Sequence, residues 1–312
     1  MILPFDLQEK VNSLYIGENK QQLKNTREQL TDKYKNKTGR SVSLINSRED
    51  SVLYAISRMP ATYSVVYTLV SQLKQQGCLQ NIASVLDIGS GTGAGYFAMK
   101  ELLQDATINL VERDKNMIAV FKHLTDEQVD VERNDIITLE TNQKFDLVTA
   151  SYVLSEMNED DRLSAVKKML DLSKDFVLIM DTGTPKTYEN MMKIKKYVIG
   201  AGFRVLAPCM SEKCGLVDDY CQFFARVERS SLHKLAKDGK LSYEDEKYFY
   251  LLISKKQTET VKQIRVIRRP VIKQNLVELK FCSETGVNQA LFSKKNKEEY
   301  KKAKKIRVND IF

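Results

Sequence analysis

The chain has 312 residues, enough for one large domain with an appendage or for two domains, and its 42% hydrophobic content supports a packed core, which excludes global disorder. No early apolar run reaches the length of a signal or membrane segment, since Met1 to Phe5 is followed at once by Asp6, Glu9 and Lys10, so a cytoplasmic protein is expected. The net charge of +8 is uneven: from Arg226 onward 22 Lys and Arg face 11 Asp and Glu, a net +11, whereas the first 225 residues hold 27 against 30, a net −3. A polyanionic partner is expected for that last third, with a merely solvated basic surface as the plain alternative.

Residues 1–37 are charged and interrupted, with Leu7, Val11, Leu14, Leu23 and Leu30 at loosely helical spacing, which predicts one or two helices over the main domain. Gly39 and the polar run to Asn46 predict a linker. Residues 48–58 read as a helix with Val52, Leu53 and Ile56 on one face. Met59-Pro60 is expected to break it, and a helix over 61–76 turns Val65, Val66, Leu69, Val70 and Leu73 inward before Gly77 ends it. Together these form an N-terminal helical region, 1–80.

From Val85 the pattern alternates. Strands are predicted over 85–88, 107–111, 129–133, 145–150, 175–180 and 203–207, and helices over 96–103, 116–123, 160–172 and 188–199, which calls for a parallel sheet covered on both faces. Ligands of such sheets bind beyond the carboxyl ends of the strands, and those ends carry Asp87, Glu112, Asp135 and Ser151. After the first strand comes Asp87-Ile-Gly89-Ser90-Gly91-Thr-Gly93-Ala-Gly95. Glycine at every second position lets the backbone take positive φ and lets a ligand approach without Cβ atoms in the way.

A dinucleotide would pass the loose glycine pattern. A carboxylate two residues before the first glycine, however, is unhelpful beside a pyrophosphate and suits a cationic ligand with a free amino group, such as S-adenosylmethionine. Glu112 is placed to accept hydrogen bonds from ribose hydroxyls, and Asn134-Asp135-Ile136 to hold the adenine. This series resembles the class I methyltransferase pattern. The expected fold is therefore α/β, with a Rossmann-like methyltransferase sheet over 81–228 that binds S-adenosylmethionine through Asp87, Gly89, Ser90, Gly91, Gly93, Glu112, Asp135 and Ser151. An empty, purely structural glycine turn is the alternative.

Methyl transfer from a sulfonium needs mainly alignment of the acceptor, and sometimes a base. The relevant stretch is Ser151-Tyr152-Val153-Leu154-Ser155-Glu156-Met157. Base-amino methyltransferases usually carry Asp or Asn, two prolines and an aromatic residue there, and this chain has neither proline. Tyr152 is the candidate to stack on a base and Glu156 to accept a proton; Glu156 also reads simply as the start of the next helix. His123 and His233 lie in helical stretches and read as surface or packing residues.

Of five cysteines, Cys209, Cys214 and Cys221 crowd a polar segment, Cys282 follows some sixty residues later, and Cys78 stands apart. Disulfides are not expected in a cytosolic chain. Four thiolates suit zinc or an iron–sulfur cluster; zinc ribbons favour shorter gaps, and longer, unequal gaps suit a bulkier cluster. Buried thiols without metal are the plain reading, and Cys209 as a nucleophile for pyrimidine C5 methylation is a further option, with no partner acid evident.

Beyond Cys221 the alternation stops. Residues 223–227 read as a last strand of the sheet, 230–236 as a short helix, and 248–254, 261–268, 276–281 and 290–293 as short strands of a β-rich appendage over 229–293. A basic helical tail, 294–312, carries Lys294, Lys295, Lys297, Lys301, Lys302, Lys304 and Lys305.

Further stretches carry a closer likeness: 54–63 (Tyr-Ala-Ile-Ser-Arg-Met-Pro-Ala-Thr-Tyr), the glycine loop, 151–157, 181–185 (Asp-Thr-Gly-Thr-Pro), 219–223 (Asp-Tyr-Cys-Gln-Phe) with 226–229, and 241–247 (Leu-Ser-Tyr-Glu-Asp-Glu-Lys). Over about 48–282 the chain resembles the methyltransferase-like proteins associated with the ribosomal small subunit, known from mitochondria and bacteria. That resemblance implies a four-iron, four-sulfur cluster on Cys209, Cys214, Cys221 and Cys282, and a role on small-subunit rRNA or the assembling subunit, as a methyltransferase or as a non-catalytic assembly or translation factor. The chain departs from its relatives at Met210 to Lys213, where prolines and a His are common, and at Gln222, where a His is common.

Overall fold

The computed structural model describes residues 1–15, 25–28, 45, 47–212, 214, 216, 219–255 and 264–311. The linker expected over 39–46 lies outside the described residues apart from Ile45, as do Leu23 and Leu30 of the expected N-terminal helices. Helix α1 (Phe5–Ser13) buries Leu7 and Val11. Helices α2 (Arg48–Ser57) and α3 (Met59–Gln75) follow. Ser47 caps α2, its hydroxyl accepting from the Asp50 amide at 3.1 Å. Pro60 opens α3 within its first turn, where the missing N–H leaves nothing unpaired, and Val65, Val66, Leu69, Val70 and Leu73 are fully buried as their spacing predicts.

The strands β1 (Ser84–Ile88), β2 (Thr107–Val111), β3 (Val131–Glu132), β4 (Phe145–Ser151), β5 (Ser173–Thr182) and β6 (Arg204–Ala207) alternate with helices α4 (Ala94–Leu102), α5 (Lys115–Leu124), α6 (Glu159–Leu172) and α7 (Pro185–Gly200). With β7 (Phe223–Glu228) and β8 (Tyr243–Ser254) they form, among the described residues, an eight-stranded sheet of order β3-β2-β1-β4-β5-β8-β6, with β7 paired to β8. From β3 to β5 all neighbours run parallel. The order reverses direction at β1 and β4, and the crevice above that point is where doubly wound sheets bind ligands. The fold is the Rossmann-like methyltransferase sheet that the alternation predicts.

One strand departs from the sequence reading. Residues 248–254, expected in the appendage, are the second half of β8, inserted antiparallel between β5 and β6. Tyr248 to Ile253 are each 0–1% exposed. An unbroken apolar run of this kind marks a strand covered on both faces, whereas a strand of a small appendage alternates.

The remaining strands, β9 (Arg265–Val266), β10 (Val271–Lys273), β11 (Leu276–Ser283) and β12 (Gly286–Ser293), make a small antiparallel sheet. The strand expected over 261–268 lies partly outside the described residues, and β10 has no counterpart in the sequence reading. Helix α8 (Ser231–Lys237) connects β7 to β8, and α9 (Lys297–Ala303) follows β12.

The basic tail is not a loose extension. Tyr300, Ala303 and Ile306 pack on Val277, Leu279 and Phe292, while all seven lysines of the segment remain exposed. Further on, buried Asn309 takes φ +74° and ties three parts of the chain together. Its side chain accepts from Arg265 at 2.8 Å and from the Tyr250 hydroxyl at 2.6 Å, and donates to Gln72 at 2.8 Å; its carbonyl accepts from Gln76 at 2.9 Å. Arg265 is itself 1% exposed and is met by amide oxygens, among them Gln76 Oε1 at 3.0 Å. Among the described residues no helix is long and apolar enough to cross a membrane.

Candidate functional site

A cavity of about 110 Å³ opens above the carboxyl ends of β1, β2 and β4. Of the residues expected to hold a cofactor, Gly89, Gly91, Glu112, Asp135 and Ser151 line it, as do Tyr152 and Glu156. Asp87, Ser90 and Gly93 stand behind that wall. Asp87 is 2% exposed, with the Thr149 hydroxyl donating to it at 2.8 Å. Gly95 is glycine for its sake, because a Cβ there would lie 2.8 Å from the Asp87 carboxylate. Gly93 takes φ +85° as the N-terminal cap of α4, and a Cβ there would strike the Phe121 ring at 2.3 Å. Ser90 is buried, its carbonyl accepting from the Gly93 amide at 2.9 Å.

Glu112 closes the glycine turn. Its carboxylate accepts from the Gly91 amide at 2.9 Å and the Asp114 amide at 2.8 Å, leaving further lone pairs for a ligand. Asp135 accepts from the Ile137 amide at 3.0 Å, with Arg113 at 3.5 Å. The cavity wall thus carries four carboxylates, Glu112, Asp114, Asp135 and Glu156, against one guanidinium, Arg113. Two hydroxyl oxygens of lining residues, Ser151 Oγ and Tyr152 Oη, are buried with no hydrogen-bond partner among the described residues, a costly state for a buried hydroxyl.

Burial pushes the carboxyl groups of Asp87, Glu112 and Glu156 up. Asp87 rises from 3.8 to about 7 through burial, with Thr149 pulling back and Glu112 adding. Glu156 rises from 4.5 to about 7 through burial and the neighbouring Asp181. Its turn is held rigidly: the Asp181 carboxylate accepts from the Ser155 amide at 2.8 Å, and Arg162 donates to the carbonyls of Leu154 at 3.0 Å and Met157 at 2.5 Å. Tyr152 takes φ +61°, a strained backbone for a bulky residue, with its amide bound to the Met180 carbonyl at 2.8 Å.

Sequence reasoning missed Tyr54, Arg113 and Asp114, which line the cavity, and Arg58, whose guanidinium sits 5.5 Å from the Tyr152 ring centre. The spacing of Tyr54 and Arg58, one helical turn apart across the end of α2, is the signal that could have found the pair. Neither histidine lines the cavity.

On the other side of the sheet's far edge, Cys209 follows β6, Cys214 and Cys221 lie in the segment leading to β7, and Cys282 is on β11. The four share a neighbourhood. Burial pushes the Cys221 thiol well up, with Cys209, Cys214 and Cys282 each adding to it; burial does the same for Cys209, with Cys282 and Cys214 adding. Asp219 fastens this segment to the small sheet by binding Lys280 at 2.8 Å and Arg268. Among the described residues, no group of three or more His, Cys, Asp or Glu side chains is set to hold a metal ion.

A family model described as mitochondrial small ribosomal subunit Rsm22 matches residues 48–312. The chain belongs to the Rsm22 family. No curated protein matches its sequence. Among solved structures, this Rsm22-family chain is similar to a Pyrococcus horikoshii protein regarded as an RNA methyltransferase (18% identity, 75% of this chain and 98% of that one, TM-score 0.42). It is similar also to magnesium protoporphyrin IX methyltransferase from Synechocystis PCC 6803 with bound SAM (13%, 75% and 97%, TM-score 0.42). A third is the plantazolicin methyltransferase BpumL with SAH and a substrate analogue (13%, 80% and 99%, TM-score 0.47).

Proposed function

We propose that this Rsm22-family chain binds S-adenosylmethionine in the cavity above β1, β2 and β4 and acts as a methyltransferase on small-subunit rRNA or on the assembling small ribosomal subunit. The observation that carries the cofactor is the charge of the wall. Four carboxylates against one guanidinium favour a cationic nucleoside and repel a pyrophosphate. Glu112 and Asp135 are the acceptors for the nucleoside, Gly89 and Gly91 leave room for it, and Ser151 and Tyr152 supply the unpaired hydroxyls. When bound, the cofactor supplies a methyl group on a sulfonium. Glu156, near neutral pKa beside the cavity, is the group to take a proton from an acceptor, and Tyr152 the surface against which a base lies.

The partner is supported by the family description and by the net +11 of the last third. The compartment follows that of the subunit, mitochondrial in the family's description.

A non-catalytic assembly or translation factor is the second reading. It is favoured by the stretch after Ser151, which lacks the prolines of base-amino methyltransferases and folds its tyrosine inward. Calorimetry with S-adenosylmethionine, followed by tritium transfer to small subunits and their precursors, separates the two: binding with transfer supports the enzyme, binding alone the factor, and no binding overturns the cofactor assignment.

The same proposal includes an iron–sulfur cluster on Cys209, Cys214, Cys221 and Cys282. This part rests on the resemblance and on the effect of Cys209, Cys214 and Cys282 on the Cys221 thiol and of Cys282 and Cys214 on the Cys209 thiol; among the described residues no three are set to hold a metal ion. The cluster would join the small sheet to the main one through Cys282, a structural role without redox turnover. Anaerobically purified protein is expected to be brown, with iron and acid-labile sulfide; a colourless protein with stoichiometric zinc overturns this part.

A further inference from the structure

The first half of β8 runs past the strand beside it. Thr182, the last residue of β5, meets Tyr248, so Tyr243 to Lys247 extend beyond the carboxyl end of β5, paired with β7. Because β5, β4 and β1 run parallel, that is the end of the sheet above which the cavity opens. Glu246 ties this two-stranded ribbon to the cavity wall, since it holds Arg58 beside the Tyr152 ring. One side of β7 belongs to the core, with Phe223, Ala225 and Val227 at 0–1% exposure. The register Phe224 with Lys247, Arg226 with Asp245 and Glu228 with Tyr243 sets these residues together on the opposite, outer face.

Two aromatic rings of that face each carry a guanidinium. Arg226 lies 4.2 Å from the centre of the Tyr243 ring, and Arg269, from the connection between β9 and β10, lies 4.1 Å from that of Phe224. Both arginines donate to one carboxylate, Asp245, from Arg226 at 2.9 and 3.2 Å and from Arg269 at 2.9 Å. Their side chains nevertheless stay 50% and 57% exposed. A guanidinium has five N–H donors, so among the described residues most of those on the two arginines are left for a ligand. Arg226, Arg269 and Lys247 outnumber Asp245 and Glu228, which makes the face positive, and Tyr243 is 39% exposed at a strand position that ordinarily holds a polar residue.

Arginines stacked on rings, with donors to spare, suit unpaired nucleobases. The bases stack on aromatic rings and on guanidinium planes, and their phosphates accept from the outward N–H groups. A duplex keeps its bases stacked on one another and has no such faces to offer. An acidic peptide would use the charges and leave the rings without a role. We infer that the outer face of β7 and β8, together with Arg269, binds a single-stranded segment of RNA at the cavity's end of the sheet, a reading that rests on the small-subunit rRNA partner proposed above and specifies the form of RNA taken. The lysines of the tail then contribute phosphate contacts, and this face the contacts to bases.

The test uses the full chain as wild type, Tyr243→Leu, Phe224→Leu and the double variant Arg226→Gln with Arg269→Gln. The probe is a fluorescein-labelled RNA of alternating cytidine and adenosine, about twelve nucleotides long, and anisotropy is followed over a range of salt concentrations. A fully paired duplex of the same length and small-subunit rRNA serve as comparisons. The wild type is expected to bind the single strand more tightly than the duplex. Each leucine variant should lose about tenfold in affinity with the salt slope unchanged, whereas the arginine variant should lose affinity and also flatten the slope, by about 0.7 for each phosphate no longer neutralised. Wild-type affinity in both Tyr243→Leu and the arginine variant overturns the inference, as does equal binding of single strand and duplex. A loss of small-subunit association with binding of the single strand intact assigns the face to a protein and overturns it as well. A wild type that binds small-subunit rRNA but not the single strand sinks this inference alone; one that binds neither sinks the rRNA partner too. Where Phe224→Leu does not fold, judged by circular dichroism, Tyr243→Leu decides.

Discussion

Arg58 donates from both terminal nitrogens to the Glu246 carboxylate, at 2.9 and 3.4 Å, across 188 residues of sequence. The pair joins the break between α2 and α3 to β8, and the same guanidinium lies 5.5 Å from the centre of the Tyr152 ring. A remote stretch of strand thereby supports a wall of the cavity. Both side chains are mostly covered, at 29% and 13% exposure, so removing one partner strands the other. Arg58→Met is expected to destabilise the fold by about 2–4 kcal/mol and to weaken S-adenosylmethionine binding. Urea unfolding followed by tyrosine fluorescence, unobscured because the chain has no tryptophan, measures the first, and calorimetry the second. Arg58→Lys, which keeps the charge but loses the fork, is expected to recover only part of either.

Asp87 makes stability fall with pH. Its carboxyl titrates near 7 in the fold against 3.8 when unfolded, so the native state holds a proton that the unfolded chain has released. The contribution is fully present below about 3.8 and is lost as pH rises through 7; the difference is worth on the order of 4 kcal/mol. Asp87→Asn is expected to be more stable than wild type at pH 8 and similar to it near pH 4, measured by urea unfolding without cofactor. A variant that is less stable at pH 8 contradicts the burial argument.

Glu156 titrates near 7 for similar reasons. Below that value it is neutral, and above it an anion faces the cavity. Affinity for S-adenosylmethionine, a cation, is therefore expected to rise between pH 6 and pH 8, by about fivefold for an added charge worth roughly 1 kcal/mol. Glu156→Gln should flatten the profile. The sulfur-neutral product S-adenosylhomocysteine should show a weaker dependence in the same calorimetric series.

The cysteines predict a pattern across variants. Serine at any one of 209, 214, 221 or 282 is expected to lose iron and visible absorbance, whereas Cys78→Ser, beside Arg265 at the end of α3, should retain both. Equal loss in all five, measured by iron content per chain, would point to general unfolding instead.

For the basic tail, deletion is a poor test of RNA binding, because it uncovers Val277 and Leu279 and removes Asn309. Glutamine at Lys294, Lys295, Lys302 and Lys305, all exposed, removes charge without touching Tyr300, Ala303 or Ile306. Binding to small-subunit rRNA is expected to weaken, with the slope of log affinity against log salt reduced by about 0.7–0.9 for each phosphate that a lysine no longer neutralises.

Much of the sheet is legible in the sequence because its signals are local. A strand, four spaced glycines and a helix between Val85 and Leu102 can be read in one pass, and so can acids at the ends of successive strands. What escapes depends on partners distant in the chain. Residues 248–254 look like part of an appendage because the regular strand–helix alternation has stopped before them, and only the pairing of β8 with both β5 and β6 shows it as an inner antiparallel strand of the main sheet. Arg58 and Glu246 each resemble an ordinary surface charge until the fold brings them together. The tail reads as uniformly basic because three inward residues, Tyr300, Ala303 and Ile306, are too few to form a periodic stripe.

The knot at Asn309 bears on synthesis. Gln72 meets its partner 237 positions later and Gln76 meets the same residue 233 positions later. While the chain is being translated, the end of α3 therefore waits with its amides unanswered until nearly everything behind it has emerged. These contacts form only once the segment carrying Asn309 has been made, and they are among the pairings of greatest sequence separation in the fold.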